Sequence, residues 1–348
     1  MKLPLELPFL PMEARTVTDV PRGEQWQYEP KWDGFRCVAL KHGPNGELPS
    51  TAGKSLTRYF PEVAANLGQV SADRFVLDGE LVVPVDGHLS FDDLLQRIHP
   101  AKSRVTRLAA EHPALYIVFD LLVDPKGRRL LDLALDERRR QLESLFRASL
   151  RRAPDIALSP CSLDVADAIR WFEETGGGLD GIVAKRRDVC YRPGERTAMQ
   201  KIKHLRTADC VVGGFRWSSD GARTVGSLLL GLYDEQGLLD HVGFTSGIRA
   251  SERAALTERL LAAQRREGAP VGFTGNAPGG PSRWSNARSA DWEPLPHELV
   301  VEVSFDHFSG GRFRHGTRLI RWRPDKAPSQ CTREQVAPAA GSSLVLLG

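Results

Sequence analysis

The pattern of predicted secondary structure changes near Leu205, and this change most limits how the chain can fold. Before that point strand-like segments such as ALYIVFDLLV alternate with helix-like segments such as DVADAIRWFEE, in which apolar residues recur every three or four positions. After it come five short strand-like segments, with one helix-like segment between the third and the fourth. Five strands with a helix in that place fit a small β-barrel of the OB type.

The length of the chain agrees with a division into two parts. At about 150 residues per domain, the 348 residues correspond to two domains. Either part is long enough to bury a hydrophobic core of its own. We therefore predict one domain over 1–205 and a strand-rich domain over 206–348.

Composition excludes several classes of protein. Lys and Arg number 47 against 44 Asp and Glu, a net charge of +3, so any nucleic-acid surface must come from local clustering of basic residues. The five cysteines are scattered without a C-x-x-C pair, which favours a reducing cytosol. No apolar run approaches the roughly 20 residues of a membrane span, so we expect no membrane association.

The segment EPKWDGFR places a lysine, Lys31, between a predicted strand and a turn at Asp33-Gly34. A lysine becomes a nucleophile only when it is neutral, so its pKa must fall from about 10.4. Cationic neighbours or a metal ion would lower it. The alternative is a solvated hairpin turn, because K-x-D-G alone is a weak motif.

Two further segments carry charges on predicted strands. In LDGEL, Glu80 follows a predicted tight turn at Asp78-Gly79 and could bind Mg²⁺ or a sugar hydroxyl, or could be an exposed strand charge. In KIKHLRT, Lys201 and Lys203 alternate with an isoleucine and therefore share one strand face. A polyphosphate would relieve their repulsion, whereas a basic edge strand is the alternative interpretation.

The run GRFRHGTRLIRWRPDK near the end of the chain interleaves basic and aromatic residues. That combination suits a partner that carries phosphate groups. A solvated, charged strand is the alternative.

Taken in order, these segments resemble the motifs of ATP-dependent DNA ligases, which belong to the lysyl-nucleotidyltransferase superfamily. The likeness is strongest to the short, stand-alone bacterial C-type enzymes, and it runs from PMEA at Pro11 to RWRPDK at Lys326. It also includes the segments TRYFPE, QRIHPAKSRV, KIKHLRTADC, GSLLLGLY and PSRW. The resemblance implies an α+β fold, in which a nucleotidyltransferase (adenylation) domain of antiparallel sheets with flanking helices precedes an OB-fold barrel.

The resemblance also implies roles around the nucleotide. Lys31 would be the nucleophile that takes AMP as a phosphoramidate. Glu29 would contact the adenine amino group, and Phe119 would stack on the adenine ring. Arg36 would lie near the bound phosphate, and Glu80 would hold the ribose or a metal ion.

The remaining implied roles concern the phosphates and the metal. Asp180, where many relatives have Glu, would bind Mg²⁺. Lys201 and Lys203 would hold the α-phosphate. The group that orients the leaving pyrophosphate would come from the second domain and consist of Arg323, Asp325 and Lys326.

Two positions depart from the family pattern. Relatives usually have Ser-Arg where this chain has Ser50-Thr51. The contact that this Arg makes to nucleotide or nick is therefore missing here, or is supplied by Lys54 or Arg58. Relatives also often have an aromatic residue where this chain has Met199-Gln200.

The function implied by the resemblance is ATP-dependent sealing of nicks in duplex DNA, in DNA repair. ATP and Mg²⁺ would be the cofactors, with Mn²⁺ as a substitute for Mg²⁺. We expect a monomer in the bacterial cytoplasm, associated with the nucleoid and working with other DNA repair proteins. The alternatives are an RNA ligase, a capping-type guanylyltransferase, or a non-catalytic nucleic-acid-binding protein of the OB type.

Overall fold

The structure, a computed structural model, describes residues 5, 9–175, 178–219, 222–265, 270–279, 291–337 and 341–348. The chain folds into two compact units, Met1–His204 with Ala339–Gly348, and Leu205–Pro338. The sequence predicts a division into 1–205 and 206–348, whereas the structure groups the last ten residues with the first unit because two of their leucines pack there. The PSRW segment, 281–284, lies outside the described residues.

The first unit contains two main sheets and a short ribbon. Its strands are β1 (Arg15–Thr16), β2 (Trp26–Pro30), β3 (Phe35–His42), β4 (Asn45–Glu47), β5 (Arg74–Val82), β6 (Pro84–Val85), β7 (His88–Leu89), β8 (Leu115–Val123), β9 (Ile156–Leu158), β10 (Gly181–Arg186) and β11 (Met199–Lys203). One sheet has the order β4-β3-β5-β8-β9 and the other has the order β1-β11-β10-β2, while β6 pairs with β7.

Helices flank these sheets. The α-helices are α1 (Pro61–Gln69), α2 (Phe91–Gln96), α3 (Lys102–Glu111), α4 (Leu135–Leu145) and α5 (Val165–Glu174). Shorter turns of 3-10 helix occur at Thr57–Tyr59 and Ser343–Leu347, and a π-helical turn occurs at Phe146–Leu150.

Alternation along the strands places the two sheets face to face. On β3, Cys37 and Ala39 enter the core beneath α1, whereas Val38 and Leu40 join a second core shared with residues of the other sheet, including Met199. Successive strand residues point to opposite faces, so a strand that is buried throughout supplies both cores. The outer face of the four-stranded sheet is covered by α5.

The predicted turn at Asp78-Gly79 is wrong. The strand β5 runs continuously through these residues, with a register shift against β8 at this point. A Cβ atom on Gly79 would lie 2.6 Å from the Ile117 carbonyl oxygen and 2.7 Å from the Tyr116 ring. The glycine therefore permits close approach of strands and does not mark a turn.

The segment EPKWDGFR is not a hairpin, because β2 and β3 belong to different sheets. The chain crosses from one sheet to the other between Pro30 and Phe35. A Cβ atom on Gly34 would lie 2.2 Å from the Leu81 carbonyl oxygen, so only glycine fits at this crossing. Lys31 therefore lies where the two sheets meet.

The second unit has the order of elements that the sequence predicts for an OB barrel. Its strands are β12 (Arg206–Trp217), β13 (Val225–Tyr233), β14 (Leu239–Thr245), β15 (Glu293–Pro294), β16 (Val300–Phe305), β17 (Phe308–Ser309), β18 (Arg312–Phe313) and β19 (Arg318–Trp322). Helix α6 (Arg253–Gln264) follows β14, and 3-10 turns occur at Ala250–Glu252, Pro328–Gln330 and Arg333–Val336.

The main sheet of this unit has the order β14-β13-β12-β16-β19. Its two edges meet where Thr245, at the end of β14, bridges Thr317, just before β19. The Thr245 hydroxyl also donates a hydrogen bond to the Thr317 carbonyl at 3.0 Å. This closure of five strands around one core confirms the predicted barrel.

Among the described residues, no helix is long and apolar enough to cross a membrane.

Candidate active site

A cavity of about 390 Å³ opens in the first unit and is lined from both of its main sheets. Strands β2, β10 and β11 contribute from one sheet, and β3, β5 and β8 contribute from the other. The cavity brings together six of the residues that the sequence predicts for the site, namely Glu29, Lys31, Arg36, Glu80, Phe119 and Lys201.

Lys31 forms an ion pair with Asp180 at this cavity. Pairing of β2 with β10 sets Pro30 opposite Ile182, so the residue after β2 and the residue before β10 are neighbours. The backbone N–H of Lys31 also donates to the Gly181 carbonyl at 2.9 Å.

The charges around Lys31 determine its protonation. Burial lowers the pKa of Lys31, but the carboxylates of Asp180, Glu80 and Asp33 outweigh burial and raise that pKa above its usual value. The lysine is therefore held as an ammonium in this arrangement. A loss of negative charge at Asp180 would remove the main cause of the raised pKa.

Glu80 lies on β5 at the same cavity. Burial raises its pKa to about 8, and the carboxylates of Asp33 and Asp78 add to the shift, although Lys31 and Arg36 oppose it. Carboxylate oxygens of Asp33 and Asp180 lie within 4.8 Å of one another. Carboxylate oxygens gathered in this way are the hard donors that suit a divalent cation such as Mg²⁺.

Glu29 is buried and both of its carboxylate oxygens accept hydrogen bonds. Gln27 Nε2 donates to Oε1 at 2.8 Å, and Lys185 Nζ donates to Oε2 at 2.7 Å. The same Lys185 ammonium lies 4.4 Å from the centroid of the Phe119 ring. Glu29 and Phe119, the two residues expected at the adenine, are thus linked by one buried lysine.

Lys185 lies outside the roles that the sequence motifs predict. Period-two alternation on β10 could have indicated it, because Val183 and Lys185 line the cavity while Ile182 and Ala184 pack on the opposite face.

Arg36 is held by a partner that the sequence patterns did not indicate. Its Nε and Nη2 atoms donate to the two carboxylate oxygens of Asp78 at 3.0 and 2.7 Å. Burial lowers the pKa of Arg36, but Asp78 outweighs burial, so that pKa is raised and the guanidinium stays charged. Tyr191 closes this network through a hydrogen bond to the same carboxylate.

The two lysines of KIKHLRT lie opposite Val183 and Gly181 of β10, while the intervening Ile202 packs into the core on the other face. Strand β11 is paired on both sides, by β1 and β10, so it is not an edge strand. Burial lowers the pKa of Lys201, and the nearby charges of Lys31 and Lys203 lower it further. This accumulation of positive charge beside Lys31 suits an anionic ligand.

Arg323 and Lys326 lie in the second unit, where both side chains form ion pairs with Asp209. Arg323 Nη1 is 2.9 Å from Asp209 Oδ1, and Lys326 Nζ is 3.4 Å from Asp209 Oδ2. Arg323 Nη2 also pairs with Asp325 at 2.8 Å, and this hydrogen bond lowers the pKa of Asp325 to about 2. The motifs in the sequence indicate the basic residues but not Asp209, which lies on β12.

Thr51 lies in a short loop that follows Ser50, which forms an isolated β-bridge with Cys37. Lys54 and Arg58 are the two candidates for the missing arginine contact. The side chain of Lys54 is exposed to solvent. Arg58 donates to the Pro100 carbonyl at 2.9 Å, so its guanidinium anchors a neighbouring loop. At the second departure, Met199 is buried and lines the cavity.

A lysine paired with a buried carboxylate at a cavity between two sheets, followed in the chain by an OB barrel, defines the class of the covalent nucleotidyltransferases. Comparison with known proteins narrows that class. Residues 11–203 match the family described as "ATP dependent DNA ligase domain", and residues 221–326 match "ATP dependent DNA ligase C terminal region". The chain belongs to the family of ATP-dependent DNA ligases, as the sequence resemblance predicted.

Similar curated proteins support the same family over nearly the whole chain. DNA ligase C2 of Mycolicibacterium smegmatis is 42% identical in an alignment of 360 positions that covers 99% of each chain. DNA ligase C of Mycobacterium tuberculosis is 41% identical in an alignment of 350 positions that covers 97% of this chain and 96% of that one. A solved structure from work on Lig E DNA ligases has a TM-score of 0.53 at 16% identity and covers 90% of this chain and 100% of that chain, which shows a shared fold.

Proposed function

We propose that this ATP-dependent DNA ligase seals nicks in duplex DNA through a lysyl-AMP intermediate on Lys31. The observation that carries the proposal is the pairing of Lys31 with Asp180 at a cavity lined by both sheets. An amine beside carboxylates that can hold a cation, with further lysines at the same cavity, suits nucleophilic attack on a phosphate.

In the first step, Nζ of Lys31 would attack the α-phosphate of ATP. The N–P bond forms, the bond to the bridging oxygen of the β-phosphate breaks, and pyrophosphate leaves. Nζ must first lose a proton to water, which requires that the negative charge of Asp180 be neutralised. Lys201 and Lys203 would stabilise the charge that develops on the α-phosphate.

Asp180 and Glu80 are the residues that would hold Mg²⁺, with Mn²⁺ as a substitute. The fit is supported by the raised pKa of Glu80, which a bound cation would bring back down. When bound, the ion would supply positive charge near the α-phosphate and the ribose.

The adenine base would be bound by residues of the cavity other than the lysines and the metal-binding carboxylates. Glu29 would accept a hydrogen bond from the adenine amino group, and Phe119 would stack on the ring. Because Lys185 contacts both side chains, it would fix their relative positions. Arg36, held by Asp78, would contact the nucleotide phosphate.

The remaining steps would use both domains, the adenylation domain and the OB-fold domain. AMP moves from Lys31 to the 5′-phosphate of the nick, and the 3′-hydroxyl then displaces AMP and closes the backbone. Arg323 and Lys326, from the OB-fold domain, would orient the leaving pyrophosphate in the first step. The first step needs contacts to the leaving pyrophosphate, whereas the later steps need contacts to the nick. Two domains that change their relative orientation between steps would meet both needs.

We place this activity in DNA repair, on nicked duplex DNA at the nucleoid of the bacterial cytoplasm. The enzyme would act as a monomer together with other repair proteins that bring it to nicks. This placement rests on the substrate, since chromosomal DNA lies in that compartment.

The test is covalent labelling followed by mapping of the label. The protein is incubated with α-labelled ATP and Mg²⁺, and the labelled peptide is identified by mass spectrometry. We expect AMP on Lys31, and Lys31→Ala should lower the rate by several orders of magnitude. Lys126→Ala, which alters an exposed lysine with no proposed role, should label like the unaltered protein.

A label that survives Lys31→Ala would overturn the assignment. Parallel incubation with labelled GTP separates capping chemistry, and sealing of a nick with either a DNA or an RNA 3′ strand separates RNA ligation. A complete lack of covalent label would leave only nucleic-acid binding.

A further inference from the structure

Residues Gly341–Gly348 pack against the first unit next to the nucleophile. Their turn of 3-10 helix, Ser343–Leu347, contacts β7. Leu346 and Leu347 pack against a small apolar cluster built on Trp32, the residue that follows Lys31. Trp32 is 5% exposed, so this cluster is a closed core and not a surface patch.

The cluster continues the wall of the nucleotide cavity. Besides Trp32 it contains Val82 and Ile117. Val82 lies two residues after Glu80 on β5, and Ile117 lies two residues before Phe119 on β8. Because side chains two apart on a strand share a face, the leucines cover the same sheet face that carries the proposed nucleotide contacts.

The same segment also approaches the carboxylate partner of Lys31. A Cβ atom on Gly178 would lie 2.4 Å from the carbonyl oxygen of Gly341. Gly178 precedes Asp180 by two residues, and the two backbones can touch only because this position has no side chain. The segment thus abuts both stretches of chain that carry the Lys31–Asp180 pair.

We propose that residues 341–348 are a positioning element for the adenylylation step. Leu346 and Leu347 fix Trp32, and through it the backbone of Lys31, while Gly341 limits the movement of the stretch before Asp180. The proposal rests on the proposed lysyl-AMP function and adds to it residues outside the family motifs quoted for this chain.

This role predicts a particular kinetic signature. The strands that carry Glu29, Lys185 and Lys201 pair with one another in the four-stranded sheet. The affinity for ATP therefore should not depend on residues 341–348. A small misplacement of a reacting atom can cost about a hundredfold in rate. Loss of the leucines should therefore slow the chemical step and leave ATP affinity in place.

The test compares two altered forms of the same turn. One carries Leu346→Ala with Leu347→Ala, and the matched control carries Val345→Ala, whose side chain is 59% exposed in that turn. Single-turnover adenylylation reports the rate constant, the ATP concentration for half-maximal rate, and the amplitude, which counts active molecules. We expect the rate constant of the double variant to fall about 10- to 100-fold, with amplitude and half-maximal ATP within about twofold and the control unchanged.

A purely structural role would give a different result. If the double variant loses amplitude while its active molecules react at the normal rate, the proposal is overturned. If that variant does not fold, Gly178→Ala decides the question. It removes no apolar side chain and places a methyl group mainly against the Gly341 carbonyl, with the Thr175 carbonyl oxygen 3.1 Å away. We expect Gly178→Ala to slow adenylylation at least fivefold at full amplitude, and a normal rate would overturn the proposal.

A second readout separates this proposal from the proposed function. Sealing of a nick that already carries 5′-AMP does not use Lys31 as a nucleophile, so it should change less than about threefold in the double variant. If the unaltered protein forms no lysyl-AMP, the proposed function fails. If it forms lysyl-AMP and both variants react as fast, only the positioning role fails.

Discussion

The Tyr191 hydroxyl donates a hydrogen bond to the Asp78 carboxylate, with 2.6 Å between the phenolic oxygen and Oδ2. The same carboxylate accepts both hydrogen bonds from Arg36, and Asp78 has no exposed surface. An arginine at the cavity is therefore oriented by a buried acid, which is itself oriented by a tyrosine 113 residues away in the chain.

We expect Asp78→Asn to impair adenylylation more than Tyr191→Phe. The amide keeps the shape of the side chain but removes the charge that balances Arg36, and hydrogen bonds to charged groups contribute about 1.5–3 kcal/mol. Single-turnover adenylylation should fall at least about tenfold for Asp78→Asn and less than about tenfold for Tyr191→Phe. Asp132→Asn, at an exposed aspartate, is the control; equal losses for the two network variants would contradict a leading role for Asp78.

Glu80→Gln should stabilise the protein, and more so as the pH rises. Burial raises the pKa of Glu80 from 4.5 to about 8, above its value in the unfolded chain. The protonated form therefore contributes stability that is fully present below about pH 4.5 and lost as the pH rises through about 8. Glutamine cannot ionise, so the difference in unfolding free energy between variant and unaltered protein should grow by roughly 4–5 kcal/mol from pH 4 to pH 9.

Chemical denaturation without divalent cations measures this difference. Glu47→Gln, at an exposed position on β4, should show no such growth. A difference for Glu80→Gln that stays constant with pH would mean that the folded and unfolded proteins bind this proton equally.

Arg323→Ala and Lys326→Ala should affect the first chemical step only. We propose that these residues contact the β- and γ-phosphates, which are present only until pyrophosphate leaves. Removal of such a contact should slow adenylylation from ATP about a hundredfold or more. Sealing of a nick that already carries 5′-AMP should change less than about tenfold, because only docking to the DNA backbone is affected.

Arg321→Ala is a matched control for this pair of assays. Arg321 lies on β19 two residues before Arg323, but it is 62% exposed and pairs with Glu302. It should leave adenylylation within about twofold of the unaltered rate. Equal losses in both assays for Arg323→Ala would show that the Arg-rich strand serves DNA binding or folding.

Local patterns predicted most of the elements, because apolar periodicity reports directly on which residues are buried. The five strands and the helix of the barrel follow that periodicity. The wrong prediction at Asp78-Gly79 shows the limit of such patterns. An Asp-Gly pair is a strong turn signal, yet here the glycine is required by the Tyr116 ring of a strand that lies more than thirty residues away in the chain.

Contacts between distant residues could not be predicted from the chain alone. The motifs named Glu29, Arg36 and Arg323, but the partners that hold these side chains are Lys185, Asp78 and Asp209. Each partner is an ordinary charged residue on a strand, and only the sheet pairing or the barrel brings it to its counterpart. The position of the leucines after Ser343 was likewise unpredictable, since their cluster lies at the other end of the sequence.

The return of residues 341–348 to the first unit has a consequence for synthesis of the protein. This unit is discontinuous in sequence, because Leu205–Pro338 lies between its two segments. All of the second unit is therefore translated before the leucines that cover Trp32. At about 5–20 residues per second, that interval is on the order of ten seconds. A nascent chain therefore exposes the apolar surface beside Lys31 until the barrel has been made, and the cluster around Trp32 is completed only after the whole second unit has been synthesised.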